Sequence, residues 1–171
     1  MMKSLAFLLM LGAMSAPPPA LAQVPVTAAA DQAALLKDKN PEMAANKKLV
    51  FDFLRIVLNA GHIEQGDKFV DPGYIEHNPV IPTGRAALMN LFGQMPKKDI
   101  ELTLPGLVAI TADGDLVTVM SVDNENDPGK PGAKYTTSHF DMFRLKNGRI
   151  IEHWDDHKKD SPVPKGAPPP G

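Results

Sequence analysis

The sequence predicts an α+β domain in which helices cover one face of a curved antiparallel sheet. Three observations carry that expectation. Apolar residues recur at helical spacing from Asn40 to Met95, alternation with period two takes over after Pro96, and Asp113-Gly114 and Asn147-Gly148 each sit between β-prone runs.

The chain opens with Lys3, an apolar stretch from Leu5 to Ala16 and the small-x-small exit Ala20-Leu21-Ala22. This is the pattern of a secretory signal peptide over residues 1–22, cleaved before Gln23, and its apolar run is too short for a stable membrane span. The mature chain is therefore expected to be periplasmic or secreted. There is no cysteine, which excludes disulfides and thiolate metal sites and leaves stability to the core.

Residues 23–40 are Ala-rich and are expected to form a flexible or loosely helical leader to a domain over residues 41–160. Asn40-Pro41 supplies an N-cap and a proline at the first helical position, and Met43, Lys47, Val50, Phe51, Leu54, Val57 and Leu58 follow at helical spacing until Gly61. A short second helix is predicted from Ile63 to Phe69, before Asp71-Pro72-Gly73. Tyr74 to Asn78 reads as extended and is broken by Pro79 and Pro82. Thr83 is predicted to cap a third helix whose buried stripe is Leu88, Leu91, Phe92 and Met95. Ile100 to Ala109 and Asp115 to Asn124 form a hairpin about Asp113-Gly114, and the loop DPGKPGA leads into a second hairpin about Asn147-Gly148, giving four antiparallel strands. The Pro-rich residues 161–171 read as a disordered tail.

The net charge is −2 and no Lys/Arg cluster appears, so nucleic acid is not an expected partner; a small-molecule ligand is. The chemistry concentrates in the last hairpin, TTSHFDMFRLKNGRIIEHWDD. A two-residue turn places Lys146 opposite Arg149. An unbroken register then pairs Leu145 with Ile150, Phe143 with Glu152, Asp141 with Trp154 and His139 with Asp156, all on one face, with Arg144 and His153 on the other. That face reads as the wall of a polar-spotted pocket.

Within it Asp141 is the leading acid/base candidate, because Trp154 and Phe143 beside it would desolvate the carboxyl and raise its pKa. The alternative is that it faces solvent on a half-polar sheet surface, or makes an ordinary cross-strand hydrogen bond with the indole N–H. His139 points the same way and could orient Asp141 or polarise a carbonyl; a strand histidine is otherwise structural. Glu152 is placed on this face as a partner for a cation or hydroxyl. His77 and Asn78, in YIEHNP, are candidates for aiming into a cleft, the alternative being local capping of a turn. His139-x-Asp141 and His153-x-x-x-His157 resemble metal-ligand spacings. In this register His153 and Asp141 lie on opposite faces, so no metal is expected. There is no nucleophile elbow and no Gly-rich phosphate loop.

YIEHNP, the DGDLVTV strand and FDMFRLKNGRIIEHWD resemble the corresponding segments of SnoaL-like proteins, the polyketide-cyclase-like branch of the nuclear transport factor 2 superfamily, from about Asn46 to His157. The resemblance implies a cone-shaped half-barrel, a bent antiparallel sheet closed by three N-terminal helices, often a homodimer. It also implies a pocket acid/base, which falls on Asp141, with His77, Asn78, His139 and Trp154 lining the cavity. Tyr74, Met120, Phe143 and Glu152 are further residues expected to bind the ligand. Met120 stands where relatives often carry a pocket histidine. Two functions follow as expectations: cofactor-free proton abstraction next to the carbonyl of a small, largely apolar compound, or binding of such a compound without catalysis.

Overall fold

The computed structural model describes residues 23–159; residues 1–22, expected to be a signal peptide, and residues 161–171, expected to be a disordered tail, lie outside the described residues. Asn40 caps α2 (Pro41–Asp52), its side chain accepting from the Glu42 N–H at 2.9 Å. A preceding short helix, α1 (Gln32–Leu35), is fixed by a double hydrogen bond between the Gln32 amide and the backbone of Leu104, at 2.8 Å each way. Beyond Asp52 the helix continues as a seven-residue π-helical segment, Phe53–Asn59, which buries Phe53 and Val57. Such wide turns are rare and recur at functional sites. Phe53, Leu54 and Leu58 of this segment line the cavity.

A 3₁₀ turn (Ile63–Gln65) and α3 (Gly66–Phe69) lead into β1 (Val70–Glu76), and α4 follows at Arg85–Phe92. Thr83 is not the cap of α4. Its hydroxyl donates to Tyr74 O and accepts from the Glu76 N–H, both at 3.1 Å, so it is committed to β1 while Gly84 stands at the helix start with φ of 95°.

The remaining strands are β2 (Leu107–Asp113), β3 (Leu116–Asn126), β4 (Lys134–Lys146) and β5 (Arg149–Asp155). The order across the sheet is β1-β5-β4-β3-β2, with β1 parallel to β5 and all other pairs antiparallel. The sheet thus has a fifth strand beyond the expected four. Pro72 is tolerated in β1 because an edge strand can lack a ladder donor. β2 starts at Leu107 rather than Ile100, since the backbone of Leu104 is already held by Gln32. Helices and sheet meet over Val50, Phe53, Val57, Val70, Leu107, Val117, Val119 and Ile150, each no more than 2 % exposed. Phe53 packs edge-on against Phe143 at 6.2 Å. Among the described residues no helix is long and apolar enough to cross a membrane.

The decisive local feature is in the last hairpin. Asn147 and Gly148 take φ of 53° and 70°, as a type I′ turn requires, and Lys146 pairs with Arg149 and Leu145 with Ile150. There the register slips. Arg144 pairs with Glu152, so Ile151 is an extra residue on β5, and from that point Phe143 faces His153, Met142 faces Trp154 and Asp141 faces Asp155. One inserted residue exchanges the two faces of everything beyond it.

Candidate functional site

The concave face encloses a cavity of about 160 Å³. Phe53, Leu54, Leu58, Leu88, Phe92 and Phe143 form its apolar body; Tyr74, Glu76, Asn78, His139, Asp141, His153, Asp155 and His157 form its polar end. A second, more open pocket of about 300 Å³ shares Leu54, Leu58 and Asp141 and extends to Met95, Val119 and Ser121. Asp141 therefore lines both.

The polar end is a continuous chain of contacts. Tyr74 Oη donates to Glu76 Oε2 at 2.6 Å; Glu76 Oε1 meets His153 Nδ1 at 2.9 Å; His153 Nε2 meets Asp141 Oδ1 at 3.1 Å. Asp141 Oδ1 is also 3.3 Å from His139 Nε2, and His139 Nδ1 is 2.6 Å from Asp156 Oδ1. The chain runs from the Glu76 side chain, 1 % exposed, to that of Asp156, 52 % exposed. A branch ties Asn78 Nδ2 to Asp155 Oδ2 at 2.5 Å.

These contacts set the charges. Burial pushes the Asp141 carboxyl up, but hydrogen bonds from His139 and His153 outweigh it and bring the pKa down to about 2. Its hydrogen bond to Asp141 is the main force raising His139 to about 9, against the opposing effect of burial. Burial likewise opposes charge on His153, and its bonds to Asp141 and Glu76 prevail, again lifting it to about 9. Burial first, and the neighbouring Glu76 charge second, push the Tyr74 phenol upward. The expected rise at Asp141 is thus corrected: its neighbours on the pocket face are imidazoles instead of an indole.

Of the residues singled out in the sequence, Tyr74, Asn78, His139, Asp141 and Phe143 line the cavity. Four do not. Trp154 is turned to the convex face by the Ile151 bulge and stacks on His77, rings 5.0 Å apart and 3° from parallel, with the Arg144 guanidinium 5.5 Å from the indole. Glu152 goes with it, bonding His77 Nε2 at 2.9 Å and Arg144 Nε at 3.1 Å. His77 therefore belongs to this outer stack. Met120 alternates with the cavity-lining Val119 and Ser121 and pairs with Phe140, 47 % exposed, on the convex side. Conversely, His153, expected outside, is 6 % exposed and touches Phe143, ring centroids 4.7 Å apart.

Glu76, His153, Asp155 and His157 were not selected as pocket residues from the sequence. Glu76 had a usable signal, because Tyr74, Glu76 and Asn78 share one face at period two; His153 and Asp155 had none without the bulge. Two groups hold ligand atoms close enough for a metal ion, all within 4.8 Å of one another: His139, Asp155 and His157, and Asp141, His153 and Asp155. The premise that the metal-capable residues divide between two faces is overturned by the same slip in register.

An α+β cone whose apolar cavity is closed by a network of histidines and carboxylates is the class of protein that fold and site define. The chain belongs to the SnoaL-like domain family, whose match spans residues 50–153. Among solved structures it is similar to a polyketide-cyclase-like protein from Acidithiobacillus ferrooxidans (25% identity, 65% of this chain and 86% of that one, TM-score 0.46) and a SnoaL-like, polyketide-cyclase-like protein from Jannaschia sp. (19%, 70% and 91%, TM-score 0.48). It is also similar to an epoxide hydrolase from M. tuberculosis (18%, 67% and 84%, TM-score 0.49). Comparison with curated proteins finds no match.

Proposed function

We propose that this domain binds a small, largely apolar carbonyl compound and catalyses proton transfer next to the carbonyl, with Asp141 as base and His139 as acid. The observation that carries the reading is the single polar end on an otherwise apolar cavity, with Asp141 lining both it and the neighbouring pocket. A carboxylate at about 2 beside an imidazole at about 9 is a pair whose environments have divided the two roles. Such a carboxylate is a weak base, so the greater share of the work falls on the imidazolium, which hydrogen-bonds the carbonyl oxygen as enolate charge develops. Tyr74, Asn78 and Phe143 hold the substrate.

One observation favours the rival reading, a binding module without catalysis: both ring nitrogens of His139 and His153 already contact carboxylates. One experiment separates the two. Mass spectrometry identifies what co-purifies, and α-proton exchange of β-tetralone in D₂O is followed by NMR for the wild type, Asp141→Asn and His139→Gln. Catalysis predicts exchange that falls by about 10² to 10⁴ in either variant. Binding without exchange in all three proteins sustains the module. Export is part of the proposal on the N-terminal sequence alone, and N-terminal sequencing of exported material is expected to begin at Gln23. A homodimer, also part of it, is read out by analytical ultracentrifugation.

A further inference from the structure

We propose that His139, Asp155 and His157 form a binding site for a divalent transition-metal ion of the zinc class at the polar end of the cavity. Their ligand atoms lie within 4.8 Å of one another, and two imidazoles with one carboxylate suit such ions.

The independent sign is His157 Nδ1. It is the one buried side-chain nitrogen or oxygen among the described residues without a hydrogen-bond partner. Asp155 Oδ2 lies only 3.4 Å away. Two ligand atoms at neighbouring corners of a tetrahedron with bonds of about 2.1 Å are about 3.4 Å apart, so the pair has the spacing of co-ligands while lacking the alignment of a hydrogen bond. The His139 ring stands against His157 at 5.0 Å and 82°.

The surrounding contacts are those that orient metal ligands. Asn78 Nδ2 and the His157 N–H bond the Asp155 carboxylate at 2.5 and 3.1 Å. Whichever nitrogen His139 turns to the ion, the other keeps a carboxylate, Asp141 or Asp156. Three protein ligands leave a coordination position free for water or a ligand oxygen from the cavity. The ion would take the His139 nitrogen that the proton-transfer reading keeps protonated, so the two are alternative loadings of one site. A binding measurement tests the metal without testing the reaction.

The test is calorimetric titration of zinc chloride into the EDTA-treated, dialysed full chain, with circular dichroism confirming the fold of every variant. Saturable one-to-one binding is expected, weakened about tenfold or more by His157→Gln and by Asp155→Asn and unchanged by His62→Gln, a substitution of a residue that contacts Glu64 and Lys98 away from the cavity. His157→Gln decides the matter if Asp155→Asn does not fold. Cobalt(II) in place of zinc should give the intense visible bands of a tetrahedral site, absent in His157→Gln. No saturable binding, or binding indifferent to His157→Gln, overturns the site; the latter means adventitious zinc on surface histidines.

Discussion

The two faces of β4 and β5 are built from the same few residues and do opposite things. On the concave face Phe143, His153 and Asp141 are packed under helices, and their polar atoms are bound to one another and to Glu76. On the convex face His77, Trp154, Arg144 and Glu152 form an equally connected stack, yet His77 remains 43 % exposed and Arg144 35 % exposed. On one side burial couples His153 and Asp141, with side chains 8 % and 18 % exposed, into an enclosed network; on the other the hydrogen bonds from His77 and Arg144 hold the Glu152 carboxyl below its usual range while the His77 ring and the Arg144 guanidinium stay open to solvent.

The most drastic way to break this contrast is the pair Phe143→Ala and Trp154→Ala. The first should cost about 3 to 5 kcal/mol, because the ring is 2 % exposed and in contact with Phe53 and His153. The second should cost about 1 to 2 kcal/mol, since a half-buried indole surrenders only part of its area. Urea denaturation yielding equal losses would place Trp154 inside after all.

Tyr74→Phe sharpens the comparison more gently. It deletes the 2.6 Å hydrogen bond to Glu76, and a bond to a charged acceptor is worth about 1.5 to 3 kcal/mol. The pH dependence of stability in EDTA-treated protein follows from the pKa directions. Asp141, lowered from 3.8 to about 2, contributes stability present above about pH 4 and lost as pH falls through 2. His139 and His153, raised from 6.5 to about 9, contribute stability complete below about pH 6.5 and lost as pH rises through 9. Maximum stability is expected between about pH 4 and 6.5, with the alkaline decline reduced in Asp141→Asn; a maximum near pH 9 would contradict the network. The smallest effect belongs to His77→Ala, which should leave both stability and cavity binding within error of the wild type.

How much of this was readable in advance depends on the range of the interaction. The Asn40 cap, the helical stripe from Val50 to Leu58, and the Asn147-Gly148 turn were all present in local residue patterns, since caps, periodicity and positive φ act within a few residues. Tyr74, Asn78, His139, Asp141 and Phe143 could be placed at the cavity from alternation and from family resemblance. The π-helical stretch, the parallel pairing of β1 with β5 and the Ile151 bulge carried no local signature. Each is the outcome of fitting one element against another, and the fifth strand joins the sheet only because β5 offers it an edge. The sequence by itself determined an α+β domain with an acid–base pocket on its final hairpin. Only tertiary structure decided which histidine faces that pocket, because side chains alternate with every residue and a single inserted one reverses the face.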